Sequence, residues 1–297
     1  MGAAPYRKGQ VLHSVFAAAF HIDPNADLQN SLVAVEAIHS ANKIAVEHLG
    51  EIEPSDAKTG FRIHSLLNLL GRIYEHSEGM LVAISTGSPA SAEALARIVV
   101  EGSMNIMYLA TIGNSSTLVQ FFRSWLHEHE RKLSEWKETI LGENYAEKVS
   151  AMIDERSDFI QALSQYVDNI ESQALIEPTD KSAEWPKALF KRFEAMGRKT
   201  DYYESYHRLS GASHLTGEDT LLWLISLEMP VEQKINMAKE AWAYSTMMTR
   251  IASTFFVDAV AACVIGYGRS NNDDLQKLKQ SLARSVQEIA KEAGVPH

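Results

Sequence analysis

The part of the 297-residue chain richest in reactive side chains is the segment from Tyr203 to His214. Four of its polar residues fall on one stripe of an α-helix, because they are spaced four, three and four residues apart: Tyr203, His207, Ser210 and His214. Arg208 lies beside that stripe, and a bend at Gly211 would swing His214 towards it. Arginine offers a fixed fork of donors to a phosphate, and histidine titrates near neutrality. The segment therefore predicts phosphate chemistry, with Arg208 and His214 as the catalytic pair.

A second polar pair, Arg97 and Glu101, lies four residues apart on the otherwise apolar stretch Ala90–Ile112. We expect both side chains to be buried, and burial of charges is costly unless they are paired and hydrogen-bonded. Two functional arrangements are open: an internal pair that orients Tyr206 or His214, or a polar cleft into which all these side chains project. A third interpretation is purely structural, in which the same network only locks helices together.

The elements that must position these residues are predicted to be helices. Gly and Pro are few, with 16 and 8 residues, and apolar residues recur at helical spacing along most of the chain. The fold class predicted is all-α, an elongated bundle of nine or ten helices forming a single domain over residues 1–297. In it, the helix Ala90–Ile112 packs centrally against the helices that carry Tyr203–His214 and Val231–Gly266.

Two parts of the chain are expected to depart from this bundle. Residues 115–176 predict a protruding hairpin of two charged, amphipathic helices. Residues 177–200 predict a linker followed by a short helix, Trp185–Met196, which Gly197 closes.

Composition excludes several function classes. A formal net charge of −10 argues against a protein that coats nucleic acid, and we expect no DNA partner. The single cysteine, Cys263, excludes a disulfide framework and a cysteine-based zinc site. The most apolar late segment, Ile251–Tyr267, is short for a membrane span and contains Asp258. No phosphate-binding glycine loop or dinucleotide motif is present in the sequence, which argues against nucleotide hydrolysis and dinucleotide redox chemistry. We predict a cytoplasmic protein with no cofactor, no metal and no membrane partner.

A remote alternative is a di-metal site. Glu36 and His39, like Glu204 and His207, form Glu-x-x-His patterns, and Glu101 would supply a further ligand. Paired motifs of this kind hold di-iron centres in four-helix bundles.

The sequence also resembles two families. Arg97 with Glu101, and Tyr206 with Ser210 and His214, look like the Arg-x3-Glu helix and the Tyr-x3-Ser-x3-His segment of an all-helical bacterial family of unknown function. That similarity spans roughly residues 60–265 and implies a helical fold.

Arg208 and His214 also form an Arg-x5-His pattern, which resembles the Arg-x4-6-His signature of the HEPN superfamily. Many HEPN proteins are metal-independent ribonucleases of toxin–antitoxin and antiviral systems, in which two subunits share a cleft. That resemblance implies a HEPN-like core, a homodimer and an RNA substrate. In this chain His214 would activate the ribose 2′-hydroxyl or protonate the leaving group, and Arg208 would hold the scissile phosphate. The competing hypothesis is a non-catalytic interaction or regulatory protein.

Overall fold

The structure, a computed structural model, describes residues 29–174, 176, 184–210, 217–268 and 273–294. Within these ranges it contains ten α-helices, one π-helix and no strand, which confirms the all-α multi-helix prediction. The α-helices are α1 (Gln29–Gly50), α2 (Ala57–Ser85), α3 (Pro89–Thr111), α4 (Ser115–Thr139), α5 (Ala146–Gln173), α6 (Leu189–Ala195), α7 (Lys199–Asp201), α8 (Gly217–Glu228), α9 (Val231–Gly266) and α10 (Asp273–Glu292). The π-helix, Tyr202–His207, follows α7 directly.

Most helix ends lie where the capping residues of the sequence predict them. The Asp56 carboxylate accepts a hydrogen bond from the backbone N–H of Thr59 (2.7 Å) at the start of α2. Asn114 and Thr117 form a reciprocal capping box at the start of α4. One boundary is wrong: the short helix predicted from Trp185 begins only at Leu189, and Gly197, with φ of +69°, follows its end.

The centre of the bundle is α3, which packs along α2 and α9. Ser245 of α9 donates a hydrogen bond to Glu93 near the start of α3. At the other end, Gly266 lies so close to the Ala110 carbonyl oxygen that an added Cβ would be 3.0 Å away. The two helices are therefore parallel, and the part of α9 before Ser245 extends past the N-terminal end of α3.

Arg62 on α2 holds the C-terminal end of α3 in place. Its Nη2 donates to the carbonyl oxygens of Leu109 (2.9 Å), Ala110 (3.0 Å) and Gly113 (2.9 Å). These carbonyls have no partner within the helix, and a cation is favoured there by the helix dipole. The contact fixes α2 against α3 at that end of the bundle.

The helices α4 and α5 pack against each other around a small core of their own, which includes Leu126, Ile160 and Val167. Arg123 on α4 donates to Asp168 on α5 (2.7 Å) and also pairs with Glu171. The single-domain assignment and the protruding hairpin at 115–176 stay predictions.

Among the described helices, α9 alone is long and apolar enough to cross a membrane by length and composition. Two-thirds (67%) of its most apolar window is buried against the other helices. That burial is typical of the core helix of a soluble protein.

Cys263, near the end of α9, is expected to be inert towards thiol reagents in the native protein. It is fully buried, and this burial raises the pKa of its thiol to about 12, so almost no thiolate forms at mildly alkaline pH. Titration with a chromogenic disulfide reagent should detect no thiol in the native protein and one after denaturation with guanidinium. Rapid reaction of the native protein would contradict this packing of α9.

Candidate functional site

The segment richest in reactive side chains forms an unusual helix. It starts as α7, continues as the π-helix Tyr202–His207 and ends at Ser210, whose hydroxyl donates to the His207 carbonyl oxygen (2.8 Å). The wide turn brings residues five apart over one another, and the rings of Tyr202 and His207 stack with their centroids 6.4 Å apart. Such π-helical turns are rare and are frequent at functional sites.

The inner side of this helix is fixed to the core. Leu209 is fully buried, and the buried Ser205 hydroxyl donates to the Asp201 carbonyl oxygen. Just before α7, the Arg198 guanidinium donates to Asp258 of α9 (2.9 Å) and lies 4.5 Å from the Phe255 ring centroid. The backbone of the π-helix is therefore held at a defined position on α9.

The outer side carries the predicted chemistry. Tyr203, Glu204, His207 and Arg208 are all exposed to solvent, and the ring centroids of Tyr203 and His207 are 6.1 Å apart. Arg208, the predicted phosphate ligand, is thus accessible. His214 lies outside the described residues, as does Gly211, so the approach of His214 to Arg208 stays a prediction.

Tyr206 connects the π-helix to the polar pair of α3. Arg97 donates from Nη2 to the Tyr206 hydroxyl oxygen (2.9 Å), and its guanidinium lies 4.9 Å from the centroid of the same ring. The pKa of Tyr206 is raised mainly by burial and further by its hydrogen bond and charge interaction with Glu101, while Arg97 opposes this shift. The phenol therefore stays protonated, and it accepts from Arg97 and donates to Glu101.

The expectation that Arg97 and Glu101 are buried is wrong, because both are only half-buried. They lie on the side of α3 that faces the π-helix, where Arg97 binds Tyr206. Of the arrangements left open by the sequence, the geometry favours an α3 pair that orients Tyr206.

The polar stripe on α3 is longer than the sequence interpretation recognised. Glu93, Arg97, Glu101 and Asn105 recur every four residues, and none of the four is fully exposed. The stripe spans three neighbours: Glu93 accepts from Ser245 of α9, Arg97 binds Tyr206, and the Asn105 amide oxygen accepts from Arg192 of α6 (2.6 Å). Continuing the four-residue spacing beyond Arg97 and Glu101 would have identified Glu93 and Asn105.

Arg192 is the site residue that sequence reasoning missed altogether. Only 6% of it is exposed, and its guanidinium lies 4.4 Å from the ring centroid of Trp185. Burial lowers the pKa of Arg192 to about 10, and the Glu101 carboxylate opposes this shift, so the guanidinium remains charged at neutral pH. No local pattern marks it, because its side-chain hydrogen-bond partner, Asn105, lies on a helix almost ninety residues earlier in the chain.

Aromatic rings surround the stripe on its solvent side. Phe190 of α6 contacts Tyr202 and Tyr203 of the π-helix, with ring centroids 5.1 and 6.0 Å apart. Arg97 and the exposed Arg208 offer guanidinium groups for a phosphate, and the rings offer faces for a flat base, whereas Arg192 is buried and holds α6 to α3. We call the side chains of Phe190, Tyr202, Tyr203, His207 and Arg208 the π-helix surface.

The di-metal alternative does not fit this geometry. In the described part of the chain, which includes Glu36, His39, Glu101, Glu204 and His207, no three His, Cys, Asp or Glu side chains are grouped closely enough to bind a metal ion. His39 of α1 instead lies 3.4 Å from the Tyr74 hydroxyl. The two Glu-x-x-His patterns therefore do not form one centre.

A groove lies between α2, α4 and α5. It has a volume of about 890 Å³ and is lined mainly by apolar side chains, which include those of Phe61, Trp125 and Ile170. Phe121, which lines the groove, packs edge-on against Trp185, with ring centroids 5.0 Å apart. The Trp185 ring also contacts the Arg192 guanidinium. The groove and the polar stripe thus share a layer of aromatic packing.

A family model described as a family of unknown function, DUF5677, matches residues 64–223 of the chain. The matched span contains the α3 stripe, α6, the π-helix and most of the groove walls. It confirms the predicted resemblance to an all-helical family of unknown function. No curated protein and no solved structure matches the chain.

Proposed function

We propose that this chain, which belongs to the DUF5677 family of unknown function, is a metal-independent ribonuclease of the HEPN type or an effector derived from one. The setting we propose is the bacterial cytoplasm, in a defence or toxin system. The observation that carries the proposal is the π-helix surface: Arg208 is exposed directly after a rare helical turn, which also carries the exposed ring of Tyr203 and contacts Arg97 through Tyr206.

Binding of single-stranded RNA at this surface would use two kinds of contact. Unpaired bases stack on aromatic side chains, and the rings of Phe190 and Tyr203 are accessible for that purpose. Phosphates are held by arginine, and Arg208 is the exposed donor of the surface. A local site of this kind is compatible with the net charge of −10, because it does not require a basic face along the whole protein.

The proposed reaction uses only protein side chains and the RNA itself. His214 accepts the proton of the ribose 2′-hydroxyl, and the 2′-oxygen attacks the adjacent phosphorus. The bond from phosphorus to the 5′-oxygen breaks, and the protonated His214 returns its proton to the leaving oxygen, which gives a 2′,3′-cyclic phosphate and a 5′-hydroxyl. Arg208 stabilises the charge that builds up on the phosphate. DNA lacks the 2′-hydroxyl and would not be cleaved.

Cleavage of RNA in excess chelator tests this proposal. The wild type is expected to cleave a single-stranded RNA that contains all four bases, and to leave the matching DNA intact. Because general acid–base catalysis contributes about 100-fold or more, His214→Ala should lower the rate by at least that factor. Arg208→Ala should also lower it strongly. The cleaved ends, read by mass spectrometry, should carry cyclic phosphates.

Two matched controls separate catalysis from general damage to the protein. His127→Ala removes an exposed histidine of α4, and Arg156→Ala removes an exposed arginine of α5. Both variants should cleave at the wild-type rate. Wild-type protein that leaves RNA intact, or a His214→Ala variant as active as these controls, would overturn the proposal.

The second candidate function is that of a non-catalytic interaction protein. The observation that favours it is the exposed apolar helix α8, whose large side chains face solvent. In that case the Arg97–Tyr206–Glu101 network is structural, and neither the wild type nor any site variant cleaves RNA.

A further inference from the structure

The helix α8 and the start of α9 form an extended apolar surface in solvent. On α8 the side chains between 47% and 60% exposed are Leu221, Leu222, Trp223, Leu224, Ile225 and Leu227. On α9 the surface continues through Val231, Ile235 and Trp242, which are 45% to 72% exposed. We call residues 221–242 the apolar arm. None of the extensive helix packings in the described part of the chain involves α8.

An uncovered arm of this kind is unfavourable in water. A helix of 12 residues is only marginally stable in isolation, so α8 needs tertiary contacts to persist. The exposed residues include nearly every position from Leu221 to Leu227, so they lie on all sides of α8. Rotating the helix about its axis would therefore not bury them all. The arm must therefore be covered by something in the functional state.

The size of the arm indicates a protein-sized partner. The two aromatic side chains of the arm, Trp223 and Trp242, bury roughly 150–250 Å² each when fully covered, and its aliphatic side chains bury less. The nine side chains of the arm, each about half exposed, present on the order of 800 Å². That is about the area each partner contributes to a standard protein–protein interface, and it exceeds the largest apolar patch of a typical monomer, roughly 300–600 Å².

We propose that the apolar arm is a homodimer interface, in which the arms of two copies pack against each other across a two-fold axis. A two-fold contact uses the same patch on both copies and needs no complementary charge. The run from Leu221 to Leu227 suits it because it contains no ionisable residue. The proposal stands on the arm alone and does not depend on RNA cleavage.

The position of the arm gives such a dimer a consequence for the site. The arm lies at the end of the bundle where α9 extends past α3, and Arg97 and Tyr206 lie within about two turns of that end of α3. Only residues 211–220 separate Ser210, at the end of the π-helix segment, from the arm. The π-helix surface of each copy therefore lies at the same end of its own bundle as the proposed dimer interface.

The test is the molar mass of the full-length protein in solution, measured by light scattering and sedimentation over a wide concentration range. The wild type should have twice the chain mass of 33.0 kDa. The double variant Leu222→Glu with Trp223→Glu should be monomeric, with its dissociation constant raised at least about 100-fold, because central aromatic and aliphatic anchors dominate interfaces. Circular dichroism should show unchanged helicity, since both side chains are exposed.

The matched control is Leu141→Glu, which places the same charge on a more exposed leucine (73%) at the α4–α5 turn. It should remain a dimer. If the double variant loses helicity, the milder Leu222→Gln with Ile225→Gln takes its place. A monomeric wild type would overturn the proposal. The arm would then have another occupant, such as residues 1–28, or a membrane surface if the protein floats with lipid vesicles. A dimer that persists in both arm variants would also overturn it.

Discussion

Replacing Arg192 by alanine is expected to lower the free energy of unfolding by about 2–4 kcal/mol, because it removes a buried hydrogen bond from a charged donor and a buried cation–π contact. The Asn105 amide oxygen loses a donor at 2.6 Å, and the Trp185 ring loses the guanidinium that lies 4.4 Å from its centroid. The Glu101 carboxylate also loses a positive neighbour. Denaturant unfolding followed by circular dichroism measures the difference.

The control for this prediction is Arg156→Ala. Arg156 also lies over an aromatic ring, that of Phe159 at 5.0 Å, but it is exposed. Exposed contacts of this type contribute about 0.5 kcal/mol, so this variant should unfold almost like the wild type. Arg192→Lys should fall between the two, because lysine keeps the charge and loses the planar fork. Equal losses for Arg192→Ala and Arg156→Ala would show that α6 is not held to α3 through Arg192.

Replacing Phe256 by alanine is also expected to cost about 3–5 kcal/mol of unfolding free energy. Phe256 is fully buried on α9, and its ring centroid lies 6.2 Å from that of Tyr74 on α2. The substitution removes the ring from the junction of α2, α3 and α9, where the surrounding helices can collapse only in part. Guanidinium unfolding should show a lower midpoint with an unchanged slope.

Phe159→Ala is the matched control, since Phe159 is 49% exposed on α5. Its loss should be within about 1 kcal/mol, as for most surface substitutions. If Phe256→Ala and Phe159→Ala lower the free energy of unfolding by the same amount, Phe256 of α9 does not lie in the core.

Much of the fold was predictable from local patterns. Asp56 and Asn114 accept hydrogen bonds from free N–H groups at helix starts, so the starts of α2 and α4 follow from a few neighbouring residues. Pro89 and Gly197 act in the same local way at the ends of α3 and α6. The apolar surface of α3 predicts its central position because such a helix can be buried only when other helices surround it.

The candidate site was predictable only in part. The spacing of Arg97 and Glu101 identifies one side of α3, and Tyr206 can be singled out from its motif. The π-helical turn could not be predicted, because Tyr202–His207 has the composition of an ordinary helix. The partial exposure of Arg97 and Glu101 could not be predicted either, since it depends on how closely the neighbouring helices cover α3.

The sequence by itself determined the helices, their caps, the central position of α3 and the concentration of polar side chains between Tyr203 and His214, because each of these depends on interactions between residues a few positions apart. Only the tertiary structure decided that Arg192 reaches Asn105, that Arg97 and Glu101 bind Tyr206, that Arg208 faces solvent and that the apolar arm is uncovered. Contacts of that kind join residues about ninety to a hundred and ten positions apart, and their free energy depends on which helix faces pack together.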